Sequence, residues 1–368
     1  MDLPRDDAGA ARVARYGAVA TALALHSDRR LLSLVAQAPV VRSGIGGTAH
    51  AVEIEGTPVF VKRVPLTDLE RRPEHRMSTT NLFGLPTFYQ YGVGSAGFGA
   101  WRELAAHAMT TAWVLGGRCA SFPLLYHWRI LPGAAPPPPH HHPDLEHAVA
   151  YWAGSPAVRA RMEALARSST NLVLFLEHVP YNLDEWLTAR VATGPDAVVA
   201  ACSMVERELR AATSFMNSHG LFHLDVHFWN VLTDGSHLYV ADFGLASSPR
   251  FELSAAEAGF LSDHASYDPC HALTGLVNWL VAHVVGVADP AERNAYLRWC
   301  AGGGRPDAPP TVAAIIERYA PVAAMLNDFH WKLHRESRTT PYPGGAVERA
   351  ALRLKPDPLS HRGRTVAP

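Results

Sequence analysis

Lysine is almost missing from this chain: of 33 basic residues only Lys62, Lys332 and Lys355 are lysine. Arginine carries the general positive charge, so a lysine that is present points to a need for a compact ammonium on a flexible stem. An excess of one charge sign is missing too. A net charge of -1 provides no basic field for nucleic acid and none for an acidic membrane surface. Cysteine is sparse. Cys119, Cys202, Cys270 and Cys300 are scattered with no C-x-x-C pair; they read as reduced, buried thiols, and neither a disulfide framework nor a zinc site is suggested. Apolar runs long enough to span a bilayer are also absent. One stretch imitates an export signal, with Arg12 and Arg15 ahead of Gly17 to Leu25. Asp2, Asp6 and Asp7 lie upstream, however, and the apolar periodicity continues through Leu31, Leu32 and Val35. It reads as an amphipathic helix of a cytoplasmic protein.

The apolar content, 48%, suits a well-packed core. Residues 1–41 read as a helical N-terminal extension. Ala49 to Ile54 and Thr57 to Val64 read as strands joined by a tight Glu55-Gly56 turn. Residues 71–99, rich in glycine, proline and aromatics, read as an ordered loop insertion. Trp101 to Leu115 has helical character, and Phe122 to Leu131 that of a strand. A second insertion covers 133–169, with an extended Pro136 to Pro139 run, a His140 to His142 tract read as a solvated loop, and then a helical piece. Leu172 to Val179 is a continuous apolar run that suits a buried strand. Beyond it, Leu183 to Ala189 and Asp196 to His219 read as helices. Val231-Leu232 and Leu238 to Ala241 form a hairpin across Asp234-Gly235. Ala255 to His334 is mostly helical, and residues 337–368 read as a frayed tail.

Six stretches carry chemistry in this order: Gly44-Ile45-Gly46-Gly47-Thr48, Val61-Lys62, Glu103, Glu177-His178-Val179, HLDVHFWN at 223–230, and ADFGLA at 241–246. Together they resemble the protein-kinase-like superfamily over roughly residues 42–290. The resemblance implies an α+β, two-lobed fold. An antiparallel-sheet lobe would occupy 42–179 and a mainly helical lobe 180–336. It also implies ATP and Mg²⁺ as donor and cofactor, and a hydroxyl acceptor. Asp225 would take the acceptor proton, and Asn230 and Asp242 would offer oxygens to Mg²⁺. Lys62 would contact the α/β-phosphates and pair with Glu103. Gly44, Gly46 and Gly47 would cover the phosphates. The Glu177 carbonyl and Val179 amide would meet the adenine, while His223 braces the catalytic loop. Asp268, just ahead of the apolar run Leu273 to Val285, is placed to brace that loop as well. A second glycine pattern, Gly92 to Gly97, matches G-x-G-x-x-G literally. It lacks a strand before it and a βαβ unit around it, and reads as a packing turn.

Three departures bear on the acceptor. Leu224 replaces an arginine that anchors phosphorylated loops in many protein kinases, so no strong dependence on loop phosphorylation is expected. His227 stands two residues after Asp225, as in aminoglycoside and choline kinase-like enzymes. No Ala-Pro-Glu follows Gly244. The expected activity is transfer of the ATP γ-phosphate to Ser or Thr of a protein or peptide. The alternatives are a small-molecule hydroxyl acceptor or a silent pseudokinase scaffold. A small-molecule pocket could draw on His264, His271, His283, Asp263 and Asp268, although helix-surface placement suits most of them.

Overall fold

The computed structural model describes residues 7–44, 47–92, 94–134 and 144–353. Gly46, Pro136 to Pro139 and His140 to His142 lie outside the described residues. The fold is α+β.

Two helices open the chain, α1 (Asp7–Leu25) and α2 (Asp28–Gln37). The apolar periodicity running past Leu25 is broken at Ser27, whose hydroxyl accepts from the Arg30 amide and caps α2. A five-stranded antiparallel sheet follows, built from β1 (Val40–Gly44), β2 (Gly47–Ile54), β3 (Thr57–Pro65), β4 (Leu125–Pro132) and β5 (Thr170–Glu177), in the order β1-β2-β3-β5-β4. Glu55 and Gly56 both take positive φ (50° and 68°), as a two-residue turn needs if its twist is to match the strands. β5 lies between β3 and β4 and is buried from Thr170 to Leu176, which explains its unbroken apolar run.

Between β3 and the helix α4 (Ala100–Leu115), the chain makes the short helix α3 (Asp68–Arg71) and 3₁₀ turns at Pro73–His75 and Thr87–Gln90. Trp101 and Leu104 on α4 pack with Leu66, Leu172 and Leu174 against the sheet. The second insertion contributes α5 (Leu145–Tyr151) and α6 (Pro156–Ala166). Arg161 on α6 pairs with Glu70 at 2.8 Å; each residue is only 1% exposed. Glu70 also accepts from the Ala100 amide at 2.9 Å, so one buried carboxylate ties the start of the first insertion to its end.

A three-stranded sheet in the order β6-β7-β8 follows β5: β6 (Tyr181–Asn182), β7 (Val231–Thr233) and β8 (Leu238–Val240). Helices α7 (Leu183–Thr193) and α8 (Pro195–Ser218) separate β6 from β7, and Val205, Leu209, Ala212 and Met216 form the buried stripe of α8. Then come α9 (Ala255–Asp263), α10 (Tyr267–Leu280), α11 (Pro290–Ala301), α12 (Pro310–Arg335) and α13 (Gly344–Leu352). The frayed tail expected from residue 337 therefore includes a helix. Val347 on α13 is fully buried with Cys270, Val322 and Leu326, an apolar contact that a single valine in a polar stretch does not announce.

The chain divides into two compact units, Met1–Trp186 with Ala211–Asp268, and Leu187–Arg210 with Pro269–Pro368. This division does not follow the 179/180 boundary read from the sequence, because residues 211–268 group with the strands. Among the described residues no single helix is long and apolar enough to cross a membrane.

Candidate active site

Lys62, Glu103, Asp225, His227, Asn230, Asp242 and Asp268 all fall in the first unit, whereas His271 and His283 fall in the second. β3 places Lys62 opposite Leu174 of β5 and Ala49 of β2, with the residue only 8% exposed. Its ammonium lies 2.6 Å from Glu103 Oε1 on α4 and 2.7 Å from Asp242 Oδ1. Burial alone would discourage the ammonium. The carboxylates of Asp242 and Glu103 outweigh it, and the Lys62 pKa is raised, so the side chain stays charged. Burial pushes the Glu103 carboxyl up, opposed by Lys62. One turn along α4, His107 meets the edge of Phe243, with ring centroids 5.0 Å apart. Burial and the Lys62 charge pull the His107 pKa down to about 3, so its ring is neutral.

The 223–230 loop is held from three sides. Asp268 is 0% exposed, and its two oxygens accept the His223 and Leu224 amides at 2.7 Å each. Burial pushes the Asp268 carboxyl up, while His223 and the two amides oppose that shift. Both oxygens act as acceptors, which is the geometry of the ionised form. The Leu224 amide is bonded where the backbone is left-handed (φ 64°), a conformation that costs a leucine about 1–2 kcal/mol. His223 Nε2 donates to the Ala241 carbonyl at 2.9 Å, which fixes the tautomer, and Nδ1 accepts from the Asp225 amide at 3.3 Å. The Ala241 amide donates to the Asn230 carbonyl at 2.8 Å, and β7 pairs with β8 through Val231 and Val240. The short hairpin thus brings Asn230 beside the residue preceding Asp242.

Asn230 Nδ2 donates to the Asp225 backbone oxygen at 3.1 Å and to Oδ2 at 3.2 Å. His227 Nε2 lies 3.6 Å from the same Oδ2. With its amide nitrogen turned to Asp225, Asn230 keeps its amide oxygen as an acceptor. Asp242, held at φ 63°, has 40% of its side chain exposed. An amide oxygen and a carboxylate are hard donors of the kind Mg²⁺ takes. Among the described residues no group of three or more His, Cys, Asp or Glu is arranged to hold a metal. Two protein oxygens do not complete a Mg²⁺ shell, so a cation here would need further ligands from outside the protein.

The remaining sequence candidates are less fully assembled. Gly44 ends β1 and Gly47 begins β2, where the two pair. Glu177 ends β5, and its carboxylate is clasped by Arg12 of α1, with Nε at 2.9 and 3.1 Å from its two oxygens. The same guanidinium reaches the Ala120 and Phe122 carbonyls at 2.8 and 2.6 Å. The sequence reading did not foresee that clasp. Val179 lies two residues beyond β5 and is partly buried. Of the groups that could line an acceptor pocket, His264 is instead buried. Its Nδ1 donates to the Phe260 carbonyl at 2.7 Å, so Nε2 accepts from the Tyr91 hydroxyl at 2.6 Å. Burial pulls the His264 pKa down to about 4. Asp263 and His283 are exposed.

Sequence reasoning also missed where the first insertion goes. Gln90 donates to the Leu245 carbonyl, and Tyr91 reaches His264. Gly92 lies against the Asp225 carboxylate, and Gly97 (φ 71°) against the Gly244 carbonyl. Farther back, Glu252 accepts from the Ser78 hydroxyl at 2.5 Å and the Thr79 amide at 2.9 Å. No signal local to residues 71–99 specifies these distant partners.

No family model matches this chain, and no curated protein matches it.

Proposed function

We propose that the protein is an Mg²⁺-dependent phosphotransferase that moves the γ-phosphate of ATP to a hydroxyl, in the first instance Ser or Thr of a protein or peptide. The observation that carries this reading is the meeting of Lys62 with both Glu103 and Asp242, at 2.6 and 2.7 Å, on a buried strand of a chain with three lysines. Glu103 holds the ammonium where triphosphate oxygens could reach it. Asp242 and the amide oxygen of Asn230 would hold Mg²⁺, which neutralises phosphate charge when bound. Asp225 would orient the acceptor hydroxyl and accept its proton as the oxygen bonds to the γ-phosphorus. The bond to the β–γ bridging oxygen breaks, and its electron pair leaves with ADP. Asp268 and Asn230 keep Asp225 in one orientation before substrate arrives.

A second reading, a small-molecule hydroxyl acceptor, is favoured by the packing of Gly92 on Asp225, which narrows the approach to that carboxylate. The test is incubation with γ-labelled ATP and Mg²⁺ in cell lysate separated into protein and metabolite fractions. Label in protein supports the first reading, and label in metabolites the second. Label in neither, beyond a control without enzyme, refutes transfer and leaves the scaffold reading.

A further inference from the structure

A methyl group at Gly92 would stand inside contact distance of Asp225 Oδ1, 3.2 Å from Cγ and 3.6 Å from Oδ2. Among the described residues, its two chain neighbours aside, no other atom comes as close to that point. The φ of Gly92 lies outside the left-handed region, so its backbone would accept alanine. The need for glycine therefore comes from the Asp225 carboxylate. The segment carrying Gly92 is fixed on both sides. Before it, Gln90 donates to the Leu245 carbonyl and Tyr91 to His264, within a ring cluster with Phe260 and Tyr267. After it, the Ala96 amide donates to the Tyr89 hydroxyl at 3.0 Å, and Gly97 lies on the Gly244 carbonyl. Asp225 is thus confined between a glycine wall on the Oδ1 side and Asn230 and His227 on the Oδ2 side.

We propose that Gly92 is a positioning residue: the insertion between β3 and α4 is the acceptor-side wall of the site, and its missing side chain sets the rotamer in which Asp225 meets the incoming hydroxyl. This inference rests on the phosphotransfer reading for its kinetic part and on geometry alone for the contact.

The test combines Gly92→Ala and Asp225→Ala, singly and together, with thermal unfolding and with steady-state ATP hydrolysis in Mg²⁺, water serving as acceptor. Gly92→Ala should lower the melting temperature by about 2–5 °C in the presence of Asp225 and by less than about 1 °C in the Asp225→Ala background. Gly97→Ala, strained by its own φ, should cost the same in both backgrounds. In kinetics, Gly92→Ala should reduce kcat at least about tenfold while the KM for ATP stays within about twofold. An equal thermal loss in both backgrounds, an unchanged kcat or a raised kcat would each overturn the proposal, the last by making the segment a plug. If Gly92→Ala fails to fold but the double variant folds, the contact is upheld. A wild type that folds but turns over no ATP counts against phosphotransfer, while the thermal comparison still decides the contact.

Discussion

Replacing Asp268 by asparagine tests how the 223–230 loop is held. Asp268 is fully buried and accepts two backbone amides at 2.7 Å, one of them at the left-handed Leu224. Asparagine keeps the shape and one acceptor oxygen. The other position becomes an NH₂ facing a backbone N–H. The loss of one hydrogen bond to a charged acceptor costs about 1.5–3 kcal/mol, and the donor left without an acceptor costs about 1–3 kcal/mol more. We expect Asp268→Asn to destabilise the protein by about 3–5 kcal/mol in urea titration. Hydrogen exchange of a peptide covering residues 221–230 should speed up by at least about tenfold, because the His223 and Leu224 amides lose their acceptor. A loss below about 1 kcal/mol with unchanged exchange would refute the idea that Asp268 holds the loop.

Arg161→Met should cost about 3–5 kcal/mol, since it leaves Glu70 buried without its cation, and Arg161→Met with Glu70→Gln should recover part of that loss in the same urea titration. Acidification should destabilise the protein through its buried imidazoles. Burial holds His264 near 4 and His107 near 3, against an ordinary value of about 6.5. The unfolded chain takes up protons first, so the stability these rings contribute is complete above about pH 6.5 and falls as pH drops toward 4, by up to about 3 kcal/mol for His264. Melting temperatures from pH 7 to pH 4.5 should fall less steeply in His264→Phe; an identical slope would contradict the assignment.

The strand elements were legible because their signals are local. Glu55-Gly56 marks a turn by residue type, and the apolar run of β5 marks a central strand. Lys62 stood out by its rarity and its β-branched neighbours, and Glu103 by its place at the start of the next helix. Asp268 could be read from its position just ahead of the apolar run Leu273 to Val285, although nothing in its neighbours shows that it holds two amides 44 and 45 residues away. β1 was missed because five residues with polar positions carry little periodicity. Within the literal glycine pattern at 92–97, Gly92 packs on Asp225 and Gly97 on Gly244, tertiary contacts that the pattern itself does not specify. The Arg12 clasp on Glu177 spans 165 residues and leaves no trace in either segment. The residues of the candidate site are thus written in short motifs, while the insertion that packs on Asp225 and Gly244 has partners distant in the chain.

The central claim meets its most direct test in Mg²⁺-dependent consumption of ATP by wild type and Asp225→Ala, with nucleotide binding followed in parallel by calorimetry. The account predicts turnover only with Mg²⁺, a loss of at least about a hundredfold in Asp225→Ala, and ATP affinity within about threefold in both proteins. Equal turnover in the two, or ATP binding by neither, would contradict it.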